Sequence, residues 1–308
     1  RGRRALPYSA PPARPPLPAP LQPLRLRRLE LRNRLVVSPM CQYSAVDGLP
    51  QDHHLIHLGR FAMGGFGLVI LEATAVAPEG RITPGDLGLW SDEHIAPLAR
   101  IVTALKAYGA AVGIQLGHAG SKASAKRPWD GGSPLDEADA AKGEPPWQTV
   151  GPSDRPAVEG WPAPAALTRE EIAEVKAAFV AAARRAVAAG FDTVELHCAH
   201  GYLLNAFLSP LTNRRDDEYG GDLAGRMRLP LEIARELRAA LPDDRPLLVR
   251  VSAVDGDPAG TTVEDTVAFA RALKEVGVDV VDCSSGGIGR RYAHTEAYGY
   301  QVPYAARV

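Results

Sequence analysis

Two histidines and a tyrosine stand close together in the run His197-Cys198-Ala199-His200-Gly201-Tyr202. Imidazole and phenol side chains hold, accept or hand over protons, so the spacing suggests three chemistries. The histidines could form a metal pair, since imidazole is a common zinc ligand. They could equally be structural histidines satisfied within the fold. In the third reading, two imidazole N–H groups converge on one substrate oxygen while the Tyr202 hydroxyl gives up a proton. Apart from Glu72, few carboxylates stand at comparable places to complete a metal shell, so the third reading is adopted and no metal is expected.

Arg250 lies inside an apolar run, Leu-Leu-Val-Arg-Val-Ser, where a buried guanidinium needs negative charge nearby. Few carboxylates point that way in the sequence, so a bound anion is the expected partner. Lys122, shortly after Gln115 and His118, adds a second positive charge. Together these groups suggest a rim that stabilises negative charge.

Such groups must be held by regular elements. Short runs rich in Val, Ile and Leu occur at 35–40, 68–74, 111–116, 193–198, 247–253 and 278–284. Their nearly continuous apolar character is that of strands covered on both faces of a parallel sheet. Helical patterns lie between them. One opens at Thr168, buries a stripe of Ile172, Val175, Phe179, Ala182, Ala183, Ala186 and Val187, and stops at Gly190. Another opens at Thr262, turns Val263, Val267, Ala270, Leu273 and Val276 inward, and stops at Gly277. Residues 24–34 alternate apolar and polar side chains and predict a hairpin ahead of the first strand.

A doubly wound sheet would place a glycine-rich fingerprint after its first strand, but here that strand runs into Ser38-Pro39-Met40-Cys41-Gln42-Tyr43. A (β/α)8 barrel instead collects its chemistry at the C-terminal ends of successive strands. Those ends carry Met40-Cys41, Glu72-Ala73, Gln115, His197 with His200, Arg250, and Ser284-Ser285. The predicted fold is therefore an α/β barrel of the TIM type, with about six of its eight units present. The long stretch 117–167, with Trp129, Trp147 and Trp161, predicts a lid-like insertion over the barrel mouth.

Composition narrows the partners. The 308 residues are 45% hydrophobic and 23% charged, enough for a sizeable core. Lys and Arg number 35 against 36 acids, a net charge of -1, so no global field favours nucleic acid or an anionic membrane. Three scattered cysteines make no disulfide framework and fit a cytoplasmic protein, and no apolar run is long enough to span a bilayer. Residues 1–28 hold eight prolines, seven arginines and no acid, so 1–23 is expected to be a disordered leader and 24–308 the incomplete barrel.

The strings SPMCQYSA (38–45), EATAVAPEGRITPGDLGLWSDEH (72–94), IQLGHAGSKA (114–123), ELHCAHGYLLNAFLSPLTNRRDDEYGG (195–221), LLVRVSA (247–253) and DCSSGG (282–287) resemble the Old Yellow Enzyme family of flavin-dependent ene reductases. The match is closest to its bacterial thermophilic-like NADPH dehydrogenase branch and covers 24–308. The resemblance implies an FMN-containing barrel that passes a hydride from NADPH (or NADH) through the flavin to an activated alkene: an enone, nitroalkene or maleimide. By motif, His197 and His200 would grip the substrate oxygen and Tyr202 would protonate the α-carbon. Cys41 would sit beside the flavin, and Tyr43 would line the pocket. Ser38, Pro39, Met40 and Ala73, with Gln115, would meet the ring edge. Arg250, with Lys122 as a further candidate, would offset reduced-flavin charge, and Ser284, Ser285 and Gly286 would border the cofactor.

The chain departs from the family pattern in places. Ser121 replaces the usual arginine of HAGRKA, and GGDLAGR (220–226) stands where GGSLENR is common. The family also continues into two further strands that carry a phosphate cradle and often an arginine that reaches a partner subunit. The expectation is a fragment that folds poorly, binds FMN weakly and exposes the edges of its first and sixth strands, the full-length protein being a homo-oligomer. Alternatives kept open are a dienoyl-CoA reductase or trimethylamine dehydrogenase-like flavoenzyme, a metal-dependent barrel hydrolase using His197 and His200, and an inactive fragment.

Overall fold

A computed structural model describes residues 17–288 and 297–308. Residues 1–16 of the expected leader therefore lie outside the described residues. Its remainder carries a single 3-10 turn at Ala19–Leu21, and Arg34 donates its backbone N–H to the Pro20 carbonyl.

Strands β1 (Leu24–Leu26) and β2 (Leu29–Leu31) form the antiparallel hairpin, turning at Arg27 with φ 52°. Next come β3 (Val36–Val37), α1 (Asp52–Met63), β4 (Leu68–Ala75), β5 (Leu87–Gly88), α2 (Ile95–Ala107) and β6 (Ala111–Gly117). The long insertion holds α3 (Glu137–Ala140) and a small parallel pair, β7 (Val150–Gly151) and β8 (Ala165–Ala166). The chain continues through α4 (Arg169–Ala188), β9 (Thr193–Cys198), α5 (Leu203–Leu208), α6 (Leu223–Ala240), β10 (Leu247–Ser252), α7 (Val263–Glu275), β11 (Val280–Ser284) and α8 (Val302–Arg307).

The main sheet is parallel in the order β3-β4-β6-β9-β10-β11, with β5 paired to the upper end of β4. Each long strand is thus added beside its predecessor, as in a β/α barrel. Among the described residues the sheet stays open, and Val36 on its first edge is 42% exposed. Only two residues of the predicted strand 35–40 join the ladder. Pro39 has no N–H to donate, so the chain leaves the sheet there in extended form.

Local signals explain the helices. Thr168 accepts a hydrogen bond from the Glu171 N–H, and the Glu171 carboxylate accepts one from the Thr168 N–H. Thr262 and Asp265 make the same reciprocal pair at the start of α7. Gly190 and Gly277, at φ 89° and 91°, end these helices in a conformation that penalises a side chain. In α7 it is Phe269, not the predicted Ala270, that reaches the core. Asp222, in the unusual GGDLAGR string, caps α6 by accepting the Gly225 N–H at 2.9 Å.

Two apolar layers hold the barrel. Outward-facing Val69, Leu71, Ile114, Leu116, Leu196 and Val249 pack under the helices with Leu98, Phe179 and Leu237. Each such Leu or Phe contributes about 1.5–3 kcal/mol on burial. Inside the barrel, Leu68, Ile70, Ala111 and Leu248, near the strand beginnings, meet Leu31 of the hairpin. Leu24, Leu26, Leu29 and Val280 complete this plug, which closes the end opposite the predicted chemistry.

Register decides what stands above the plug. β4 and β6 pair regularly until a shift between Leu71 and Ala73, after which Ala73 stands opposite Gln115. Glu72 is the extra residue of this bulge. Its carboxylate instead accepts the Gln42 N–H at 2.6 Å and lies 3.3 Å from His54 Nε2. Gln115 in turn pairs with Glu195, His197 with Arg250, Arg250 with Asp282, and Ser252 with Ser284. Residues directly opposite in a sheet share a face. The polar side chains therefore line the barrel interior, the histidine layer standing above Gln115 and Glu195.

Candidate active site

His197 leaves β9 fully enclosed, and the Ala199 N–H donates to its Nδ1 at 3.2 Å. The neutral ring then carries its proton on Nε2. Gly117, across the ladder, leaves room for it: a Cβ there would stand 3.4 Å from His197 Cβ. His200 follows in a left-handed turn, φ 62°, held by its own N–H donating to Ser252 Oγ at 2.9 Å. That hydroxyl donates onward to the Gly286 carbonyl at 2.6 Å. Gly201 makes the crossing possible, because a Cβ there would lie 2.3 Å from the Gly287 oxygen and 2.8 Å from Lys122 Nζ.

The aromatic groups converge. The His197 and His200 rings meet edge to face at 5.2 Å, and His197 meets Tyr202 at 5.0 Å. Lys122 donates to the carbonyls of His200 and Gly287 and places its ammonium 5.8 Å from the Tyr202 ring centre. Burial pushes Lys122 down to about 8. Burial, with the Arg250 and Lys122 charges adding to it, pushes His200 down to about 3. Burial and the neighbouring His200, Arg250 and Lys122 hold His197 far below the usual imidazole range. Both rings are neutral at pH 7, the state in which each offers one N–H.

Arg250 has a protein partner, contrary to the expectation of a bound anion. Its Nε lies 3.5 Å from Asp282 Oδ2 on the adjacent strand. Parallel register places that carboxylate directly opposite, a relation that inspection of strand ends alone misses. One row lower, Gln115 donates to the buried Glu195 at 2.8 Å. Ser252, Asp282 and Glu195 were all missed as site residues. The alternating inward positions of 193–198, 247–253 and 278–284 would have revealed them.

A second group gathers on the β3–β4 side. Burial, together with Asp86 and Glu72, pushes the Cys41 thiol strongly upward. Tyr43 meets Trp129 of the insertion edge to face at 5.9 Å, and its carbonyl accepts from Arg127 Nε at 3.3 Å. A small cavity beside His197 and Tyr202 is lined also by Ala73, Asp86 and His118, and neither Cys41 nor Tyr43 lines it. Ser284 Oγ lies 2.7 Å from His200 Nε2, while Ser285 is buried beside it and Gly286 takes φ 74°. Ser38 and Pro39 are half-buried and Met40 is 46% exposed; they lead into Cys41. A larger cavity of about 510 Å³ lies beneath the insertion, lined by Arg81, Arg127, Glu144 and Trp147, and contains none of the predicted site residues. Among the described residues no cluster of three or more His, Cys, Asp or Glu side chains is arranged to hold a metal.

The parallel barrel thus carries neutral imidazoles and the Arg250 guanidinium at its mouth, with a buried amide and acid one row beneath. The sequence profile of the NADH:flavin oxidoreductase / NADH oxidase family matches residues 21–297, which makes the protein an FMN-dependent oxidoreductase. The NADPH dehydrogenase of Bacillus cytotoxicus is 46% identical over 286 residues, covering 92% of this chain and 76% of the relative. Among solved structures, morphinone reductase superposes with a TM-score of 0.76 at 28% identity, over 94% of this chain and 77% of that one. An old yellow enzyme homologue from Zymomonas mobilis gives 0.73 at 25% identity, over 89% and 78%. The chain belongs to this flavin oxidoreductase family, within its Old Yellow Enzyme group.

The ring-edge groups fit FMN. Gln115 keeps its carbonyl oxygen without a hydrogen bond among the described residues, and Arg250 Nε is buried without one. An acceptor and a cation are what the pyrimidine edge of a flavin requires.

Proposed function

We propose that the protein reduces activated C=C bonds of small enones, nitroalkenes and maleimides, with NADPH or NADH as the donor. Bound FMN supplies the two-electron chemistry, accepting and delivering hydride. The chain's residues orient and protonate. His197 Nε2–H and the His200 ring hold the carbonyl or nitro oxygen, where negative charge grows as the β-carbon is reduced. Tyr202, against both rings, gives its hydroxyl proton to the α-carbon. Cys41 would sit beside the flavin and Tyr43 would face the substrate, and Arg250 with Lys122 offsets charge on the cofactor. Ser38, Pro39, Met40, Ala73, Ser284, Ser285 and Gly286 frame the ring. Substrate and nicotinamide would take turns in one place, so no separate dinucleotide domain is needed.

The observation that carries the reading is the close edge-to-face set of two neutral imidazoles and one phenol at a barrel mouth. The relative's name supports NADPH as the donor. The three cysteines are unpaired and no helix among the described residues is long and apolar enough to cross a membrane, which supports a cytoplasmic setting. A homo-oligomer follows from the family resemblance.

The test is NADPH oxidation with cyclohexenone after loading with FMN. His197→Ala with His200→Ala should abolish binding of p-hydroxybenzaldehyde, whose phenolate mimics the developing charge, while FMN reduction by NADPH continues. Unchanged phenol affinity would remove the histidines from this role.

A further inference from the structure

Glu195 is enclosed in the barrel interior, two residues below His197 on the same strand. One carboxylate oxygen accepts the Gln115 amide at 2.8 Å; the other is buried with no hydrogen bond among the described residues. An acid in such a place is costly unless it serves a partner. The family resemblance implies a cofactor role for Gln115 and none for Glu195.

We propose that Glu195 is a positioning residue for the flavin, fixing which end of the Gln115 amide faces the cofactor and adding its own charge beneath. The inference rests on the proposed binding of FMN over this row. An amide can present either its NH2 or its carbonyl. With the NH2 committed to Glu195, the carbonyl is turned to the cofactor side, where it accepts an N–H. The flavin pyrimidine edge carries one N–H, at N3, between two carbonyl oxygens. The arrangement thus selects that edge by its donor, while the Arg250 cation suits the adjacent oxygen.

The charge of Glu195 is set by its surroundings. Gln115 faces it from β6, Arg250 from β10 and Asp282 from β11, with Leu248 directly opposite and His197 next on its own strand. Burial and the Asp282 charge push its carboxyl upward, against the opposing pull of Arg250 and the Gln115 hydrogen bond. Glu195 is therefore a group whose ionisation falls within reach of ordinary assay pH.

Two measurements on FMN-loaded protein test the proposal. Binding of FMN is compared with binding of FMN methylated at N3, which has no N–H there. Wild type should prefer FMN by about tenfold or more. Glu195→Ala should lose most of that preference because the amide can turn, and Glu195→Gln, which keeps an acceptor oxygen, should retain it. An unchanged preference in Glu195→Ala overturns the positioning role. The second measurement needs only Glu195→Gln: its FMN midpoint potential should match wild type at acid pH and lie above it at alkaline pH. A difference that is constant with pH, or absent throughout, overturns the charge role. Wild type that binds FMN without these differences defeats this inference alone; failure to bind FMN defeats the function on which it rests.

Discussion

Ser284 Oγ and His200 Nε2 lie 2.7 Å apart, joining the end of β11 to the loop that leaves β9. A hydroxyl that donates to Nε2 leaves the proton of the neutral ring on Nδ1. His197 has the opposite tautomer, because a backbone N–H occupies its Nδ1. In the proposed reaction the two rings would then present different nitrogens to the substrate oxygen. Ser284→Ala should release the His200 tautomer and weaken p-hydroxybenzaldehyde binding by about 3- to 10-fold, the value of one ordinary hydrogen bond. Titration of the FMN-loaded protein by absorbance checks this, and equal affinity would show that Ser284 does not set the tautomer.

Tyr202→Phe keeps the ring that packs against His197 and removes only the hydroxyl. A positioned general acid contributes about 10²–10⁴-fold. Oxidation by cyclohexenone should slow within that range, while reduction by NADPH changes little. Stopped-flow measurement of the two half-reactions separates them.

Acid should unfold the protein through its histidines. Ring pKa values of His197 and His200 lie below those of the unfolded chain, so between about pH 3 and 6.5 the unfolded state binds more protons. Their contribution to stability is therefore complete above 6.5 and is lost as pH falls. Each ring contributes a slope of at most about 1.4 kcal/mol per pH unit. Denaturant melts of wild type and His200→Asn from pH 7 to 4 should converge on acidification. Parallel curves would contradict the burial of that ring as a neutral group.

Gly201→Ala places a methyl group against the Gly287 carbonyl and the Lys122 ammonium, at a φ of 77°. Backbone strain of that kind costs about 1–3 kcal/mol before the clash is added. Thermal melting should show the loss, together with weaker phenol binding, since His200 and Lys122 would have to move. A variant that melts and binds like wild type would mean that the three loops do not cross so closely.

The parts of this fold that depend on neighbours in sequence were legible along the chain. Thr168, Gly190, Thr262 and Gly277 announce helix ends because caps are made within one turn. The 24–34 hairpin and the long apolar strands follow from alternation and continuity. The relations that needed strand pairing were not legible: Asp282 opposite Arg250, Glu195 under Gln115, and Trp129 reaching back to Tyr43. Motif resemblance named the groups around His197, but it was register that showed which of them stand in one row.

The bulge at Glu72 makes strand length a chemical variable. Were β4 one residue shorter there, the carboxylate now turned toward His54 and Gln42 would occupy the place of Ala73, side by side with Gln115 and Glu195. A deletion too small to disturb hydrophobic content would set a second acid under the proposed flavin site. At this point in the barrel, the spacing of the chain matters as much as its spelling.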